Sequence, residues 1–165
     1  MQKHSQDNLR QAIRLAYVAG LIDGEGTIRI AKAKSENNTW NYTYKAALSF
    51  VNTNRRMSEI VSEFMGTRIY DSEYGSSGKT MYRVQKMGLE GVAELLKKIL
   101  PYLEGKKKQA ELVIEFCDKK TSYSVKDSPK TGKKGGNYIP KEEIELREKY
   151  YWKVKNLNEY RSRND

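Results

Sequence analysis

Cysteine and histidine are nearly missing, with one of each, Cys117 and His4, in 165 residues. A lone cysteine excludes an intramolecular disulfide framework. One histidine excludes a Cys/His zinc site, and excludes a Ser-His-Asp or Cys-His triad unless His4 carries it. His4 sits in a polar N-terminal stretch, where fraying is the rule. A catalytic metal, if there is one, is therefore expected to be a hard cation held by carboxylates and carbonyls. Long apolar runs are missing as well. The longest, Leu15–Ile22, is closed by Asp23 and falls far short of the roughly 20 residues that span a bilayer. No signal-peptide pattern opens the sequence. A soluble, intracellular protein without a membrane partner is expected.

What is present is length and positive charge. At about 150 residues per domain the chain is one domain, long enough to bury roughly two-thirds of its unfolded surface. Lys and Arg number 31 against 21 Asp and Glu, a net charge of +10. That excess favours a polyanion as partner.

Residues 7–23 have helical spacing. Leu9, Ala12, Ile13, Ala16, Tyr17, Gly20 and Gly24 recur at intervals of three and four, and Leu15, Val18, Ala19 and Ile22 cover the other side. A helix that is apolar all round is buried all round. Gly24 and Gly26 stop it. Thr27–Lys34 and Tyr42–Val51 alternate as strands, joined by the polar loop Ser35–Asn41. Asn54–Met65 is an amphipathic helix ended by Gly66. Arg68–Tyr74 and Thr80–Lys86 form a second hairpin, Leu89–Leu100 a third helix followed by Pro101, and Gln109–Asp118 a fourth. Lys119–Gly136 holds six Lys against one Asp, and reads either as a solvated loop or as an arm touching phosphate. Pro140 opens a last helix to about Tyr160, with Leu146, Tyr150, Val154 and Leu157 on one side. The expected organisation is a single domain over 1–165, with a core at about 7–118, a basic loop at 119–138 and a C-terminal helix at 139–160.

Ala16, Gly20 and Gly24 lay a strip of nearly bare backbone along one helix face, and such a strip lets two helices approach closely. The second helix is either in the same chain or in another copy. Glu25 follows at the helix end, where the last carbonyls lack intrahelical partners. Its carboxylate beside the Gly24 carbonyl is either a ligand pair for a hard cation or an ordinary acidic turn.

Val18-Ala-Gly-Leu-Ile-Asp-Gly-Glu-Gly26 closely resembles the LAGLIDADG motif of homing endonucleases. The α-β-β-α-β-β-α order and the stretch Leu100-Pro-Tyr-Leu-Glu-Gly-Lys-Lys-Lys-Gln-Ala110 resemble the same family, so the resemblance covers residues 10 to about 117. It implies an α+β fold with an antiparallel four-stranded DNA-binding sheet and helices packed on one face, here with an added C-terminal helix. Chains with one motif act as homodimers, which implies that Ala16, Tyr17, Gly20 and Gly24 meet their symmetry mates. The implied activity is site-specific, double-strand DNA cleavage at a long, roughly palindromic site, leaving short 3′ overhangs, in an intron- or intein-type mobile element. The implied cofactor is Mg²⁺, two or three ions per dimer, with Mn²⁺ or Ca²⁺ able to substitute in binding. Glu25 and the Gly24 carbonyl are the implied metal ligands; the family usually has Asp at position 25. Lys106 falls on the family's active-site lysine, Asn52 on a polar residue that orders water, and Arg56 joins that network. The residues alone also allow Lys106 as one of a solvated run, Asn52 as a turn or capping residue, and Arg56 as a plain surface arginine. An RNA-binding maturase or a non-cleaving DNA-binding protein on the same scaffold is the alternative.

Strand alternation proposes the DNA surface. Ile28 and Ile30 face the core, so Arg29 faces out, with Lys32 and Lys34 on a twisted, exposed end. Lys45 and Ser49 face out from the second strand, Arg83 and Gln85 from the fourth. A major groove accepts a β-ribbon, and Arg and Gln read guanine and adenine edges. Lys107 and Lys108 would contact phosphate. Asp71 and Glu73 either accept from cytosine or lie off the DNA.

Overall fold

The computed structural model describes residues 2–35, 40–74, 78–121 and 139–161. The elements run α1 (Gln2–Glu25), β1 (Gly26–Lys34), β2 (Tyr42–Asn52), α2 (Arg55–Met65), β3 (Ile69–Tyr74), β4 (Lys79–Met87), α3 (Leu89–Ile99), a 3-10 turn (Leu100–Tyr102), α4 (Lys107–Thr121) and α5 (Lys141–Arg161). Among the described residues no helix is long and apolar enough to cross a membrane.

The order of elements is as the sequence reading expects; some boundaries differ. The first helix starts at Gln2, not near residue 7, because extending a formed helix costs little even where apolar periodicity is absent. Leu100 leaves α3 for the 3-10 turn, since Pro101 has no N–H to continue a helix. Residues 119–121 belong to α4 rather than to the basic loop, and residues 122–138 of that loop lie outside the described ones.

Local signals set the helix ends. The Asn54 side chain accepts from the N–H groups of Arg56 and Met57 and caps α2, and Gly66, at φ 59°, closes it in the left-handed conformation that glycine adopts without strain. The strands form one antiparallel sheet in the order β1-β2-β4-β3. Alternation then sorts the two faces. Ile28, Ile30, Tyr44, Leu48, Phe50 and Val84 are buried on one. The core forms where that face meets Val18, Ala19 and Ile22 of α1, Val61 and Met65 of α2, Val92, Leu96 and Ile99 of α3, and Val113 and Phe116 of α4. The other face carries Arg29, Lys45, Arg83, Tyr70 and Met87, all exposed, with Ser49 and Gln85 half-buried between them.

One surface expectation changes, and one open alternative narrows. Lys32 is not on the open face. It lies opposite Tyr44 on the helix side of the sheet, and α5 covers it. Its ammonium donates to both carboxylate oxygens of Glu148 at 2.8 and 2.9 Å. Lys34 shares that side but is exposed at the strand end. Asp71 pairs with Tyr82 in register and so also lies off the open face.

The α5 helix packs on α4 and β1. Tyr150 and Val154 are buried beneath it, as expected from their spacing. Glu148 is its main anchor, accepting from Lys32, from the Tyr44 hydroxyl and from Trp152 Nε1. Tyr151 meets Tyr44 edge-on, with ring centroids 6.2 Å apart. Farther along, Asn158 Nδ2 donates to the Ile28 carbonyl at 3.1 Å. Because β1 is an edge strand, this bond blunts part of an edge that would otherwise offer unpaired backbone groups.

Candidate functional site

The site begins at the last turn of α1. The chain passes from Glu25 in the helix to Gly26 in β1 without a linker. A Cβ on Gly26 would lie 2.7 Å from the Ile22 carbonyl oxygen, so glycine is required for this close return. The consequence is that Gly24 and Glu25 sit at a fixed, exposed corner between helix and sheet.

Lys106 reaches the same corner from more than 80 residues away in sequence. It precedes α4, is buried, and donates through Nζ to the carbonyl oxygens of Ile22 (2.9 Å) and Asp23 (2.6 Å). These are among the last carbonyls of α1, which have no helical partners of their own. Asp23 completes the contact in the other direction. Its carboxylate accepts from the backbone N–H groups of Glu104 (2.8 Å), Gly105 (3.1 Å) and Lys106 (2.8 Å). A carboxylate at the N-terminal end of α4 is favoured by the helix dipole as well as by the hydrogen bonds. Asp23 drew no attention in the sequence beyond closing an apolar run, because its partners lie far along the chain.

Asn52 closes β2 at the same end of the sheet. Gly26 pairs with Phe50, so Asn52 lies two residues past the start of β1. Its Oδ1 accepts from the Asn54 N–H at 2.7 Å and shapes the turn into α2. Of the two readings of Asn52, the turn role is thus present in the structure. Arg56 is exposed and pairs through Nη1 with Glu59 at 3.3 Å. Together with Ile13, Tyr17 and Ile60 it lines an open groove of about 430 Å³ between α1 and α2.

The donors at the corner suit a hard cation. The Glu25 carboxylate and the Gly24 carbonyl supply oxygens at a solvent-accessible position, and the Glu25 side chain makes no ion pair or hydrogen bond with a described residue. Among the described residues no group of three or more His, Cys, Asp or Glu side chains converges. One copy of the chain therefore offers a partial oxygen shell, and a cation there would take further ligands from water, phosphate or a second copy.

The described residues leave the glycine strip uncovered. A Cβ at Gly20 or Gly24 would meet nothing within 4 Å. Ala16 is exposed, and so are Leu9, Ile13 and Tyr17 along the same face, at 62%, 61% and 48%. The helix is thus apolar all round but buried on only one side.

The open sheet face groups Arg29, Lys45, Ser49, Arg83 and Gln85 as alternation predicts, since residues on one side of the pleat stay together across paired strands. It adds a pair the sequence reading missed, Arg68 stacked over the Tyr70 ring at 4.6 Å. Alternation within β3 was the available signal, but its acidic residues drew the attention instead. Lys107 and Lys108 are exposed in the first turn of α4, next to Lys106.

The description "LAGLIDADG endonuclease" belongs to the family model that matches residues 18–111, more than half of the chain. No curated protein matches in sequence at a significant level. Solved structures do match in fold. The homing endonuclease I-CvuI, in complex with the I-CreI target in the presence of Mg, superposes with a TM-score of 0.67 at 21% identity, over 90% of this chain and 83% of that one. The archaeal intron-encoded homing endonuclease I-Vdi141I, complexed with DNA, gives 0.61 at 15% identity, over 88% and 84%. I-LtrWI, a LAGLIDADG homing endonuclease bound to target DNA, gives 0.54 at 15%, over 70% and 41%. At such identities the likeness is one of fold, and it agrees with the matched motif and with the four-stranded antiparallel sheet. The chain belongs to the LAGLIDADG endonuclease family.

Proposed function

We propose that the chain is a homodimeric, divalent-metal-dependent endonuclease that cuts both strands of a long, roughly palindromic DNA site and is encoded within an intron. The whole chain acts as one domain, with α5 bracing the sheet. Two copies of α1 meet through Ala16, Tyr17, Gly20 and Gly24, a self-complementary arrangement about a two-fold axis. Each copy brings Glu25 and the Gly24 carbonyl to that axis, where they would hold Mg²⁺, or Mn²⁺ or Ca²⁺ in its place. When bound, the ion supplies Lewis-acid activation and offsets charge developing at the scissile phosphate. Lys106 places a second positive charge beside the phosphate, Asn52 orients water at the strand end, and Arg56 supports that water from the first turn of α2.

Sequence reading falls to the open sheet face. Arg29, Arg83 and Gln85 carry donors suited to base edges in the major groove. Lys45 and Ser49 fill the surface between them. Lys34, Lys107 and Lys108 contact phosphate, which adds affinity and salt dependence without sequence information.

The observation that carries this reading is the corner itself, an exposed carboxylate and a buried lysine at the end of a helix whose glycine strip the described residues leave bare. The test uses a plasmid pool with randomised inserts, incubated with Mg²⁺ and either the wild type or Glu25→Gln. Cut sites recovered with the wild type and lost with the variant support the proposal. Equal cutting by both proteins, or cutting by neither, overturns it.

A further inference from the structure

We infer that Asp23, which links the end of α1 to the segment before α4, is a positioning residue for catalysis. Its carboxylate fixes Lys106 against the helix end that supplies Gly24 and Glu25. The inference rests on the function proposed above and deepens it.

The geometry is reciprocal. Oδ2 of Asp23 accepts from the N–H groups of Glu104 and Gly105, and Oδ1 accepts from the N–H of Lys106. In return Lys106 Nζ donates to the carbonyls of Ile22 and Asp23. One side chain from each segment thus satisfies the orphan backbone groups of the other segment. The two segments come from opposite ends of the core domain, and nothing in the sequence between residues 23 and 106 ties them together locally.

The next two residues after Asp23 are Gly24 and Glu25. A shift of the 104–106 segment therefore moves the Lys106 ammonium relative to the Glu25 carboxylate, two residues beyond Asp23. A helix cap needs only one or two of these N–H bonds. Here three successive N–H groups converge on one carboxylate, and the third belongs to the lysine itself. That arrangement fixes the backbone origin of the Lys106 side chain, while the Ile22 and Asp23 carbonyls hold its ammonium at the other end. Supporting partners of this kind alter activity by about 10- to 100-fold when removed.

The test compares wild type, Asp23→Asn and Asp23→Ala on a cut site recovered from the plasmid pool. Asp23→Asn keeps one oxygen acceptor and loses the charge; Asp23→Ala loses both acceptors. Three quantities are read: the single-turnover cleavage rate at saturating enzyme, the affinity for the same duplex in Ca²⁺, and amide hydrogen exchange at residues 104–106. Val113→Ala, a cavity in α4 seven residues past Lys106, serves as a stability control. The expected result is a graded loss, about tenfold in rate for Asp23→Asn and about 100-fold for Asp23→Ala. Exchange at 104–106 quickens in step, DNA affinity changes less than about threefold, and Val113→Ala cuts at the wild-type rate despite a lower melting temperature. Variants that cut at the wild-type rate overturn the inference while leaving the endonuclease reading intact. So do variants whose rate and affinity fall together with stability, as Val113→Ala would then also do. Should Asp23→Ala not fold, Asp23→Asn decides alone. A wild type that cuts nothing overturns the endonuclease reading itself.

Discussion

Gly26 shows how much one residue controls here. It is the first residue of β1, and the strand returns so closely over α1 that a methyl group would collide with the Ile22 backbone. Gly20 and Gly24, six and two residues before it, face open space instead. The same residue type thus serves two purposes within one motif. At Gly26 it permits a close return inside the chain, and at the other two it keeps a surface flat. Gly26→Ala is expected to destabilise the fold by about 1–3 kcal/mol, the usual cost of overpacking, read as a lower urea midpoint. An unchanged midpoint would mean that the corner is less constrained than its geometry implies. Glu25 was legible in the sequence because a motif surrounds it. Asp23 was not, because its role depends on three N–H groups more than 80 residues away.

At the scale of elements, α5 is where local reading was weakest. Its apolar residues and its Pro140 start were legible, but not which strand it covers. That it packs over β1 changes the meaning of Lys32, which alternation placed with Ile28 and Ile30 and which the helix then covers. Burial pushes the Glu148 carboxyl upward, but hydrogen bonds from Lys32, Tyr44 and Trp152 outweigh it and hold the group below the ordinary carboxylate range. Burial and the neighbouring Glu148 carboxylate push the Tyr44 hydroxyl up to about 12. A carboxyl with a depressed folded pKa stabilises fully above its unfolded value, and the contribution is lost as pH falls through the folded one. Glu148→Gln should therefore lower the melting temperature most near neutral pH. The gap to wild type should shrink below about pH 4, the ordinary Glu range. A gap that is constant across a melting series from pH 3 to 7 would show that Glu148 acts by packing rather than by charge.

The whole molecule combines an open, basic sheet face with a bare helix face at its border. Either alone is common; what matters is that they share the corner at Gly24 and Glu25. The Leu9, Ile13 and Tyr17 side chains extend the bare face toward the N-terminus, so a second copy has more than glycine to bury. Gly20→Leu should hold two such helices apart and yield monomer or aggregate by light scattering. A well-behaved variant of unchanged dimeric mass would sink the helix-pairing arrangement, and a wild type that is itself monomeric would do so more directly.

By itself the sequence determined the order of elements, the two faces of the sheet and the identity of the helix that ends in Glu25. Those properties follow from periodicity and from glycine, which act over a few residues and leave a local trace. The tertiary structure decided that Lys106 and Asp23 hold each other, that Lys32 is covered by a distant helix, and that the described residues leave the glycine strip bare. Each of these depends on which segments meet across the core, and the spacing of residues along one segment carries no record of its partner.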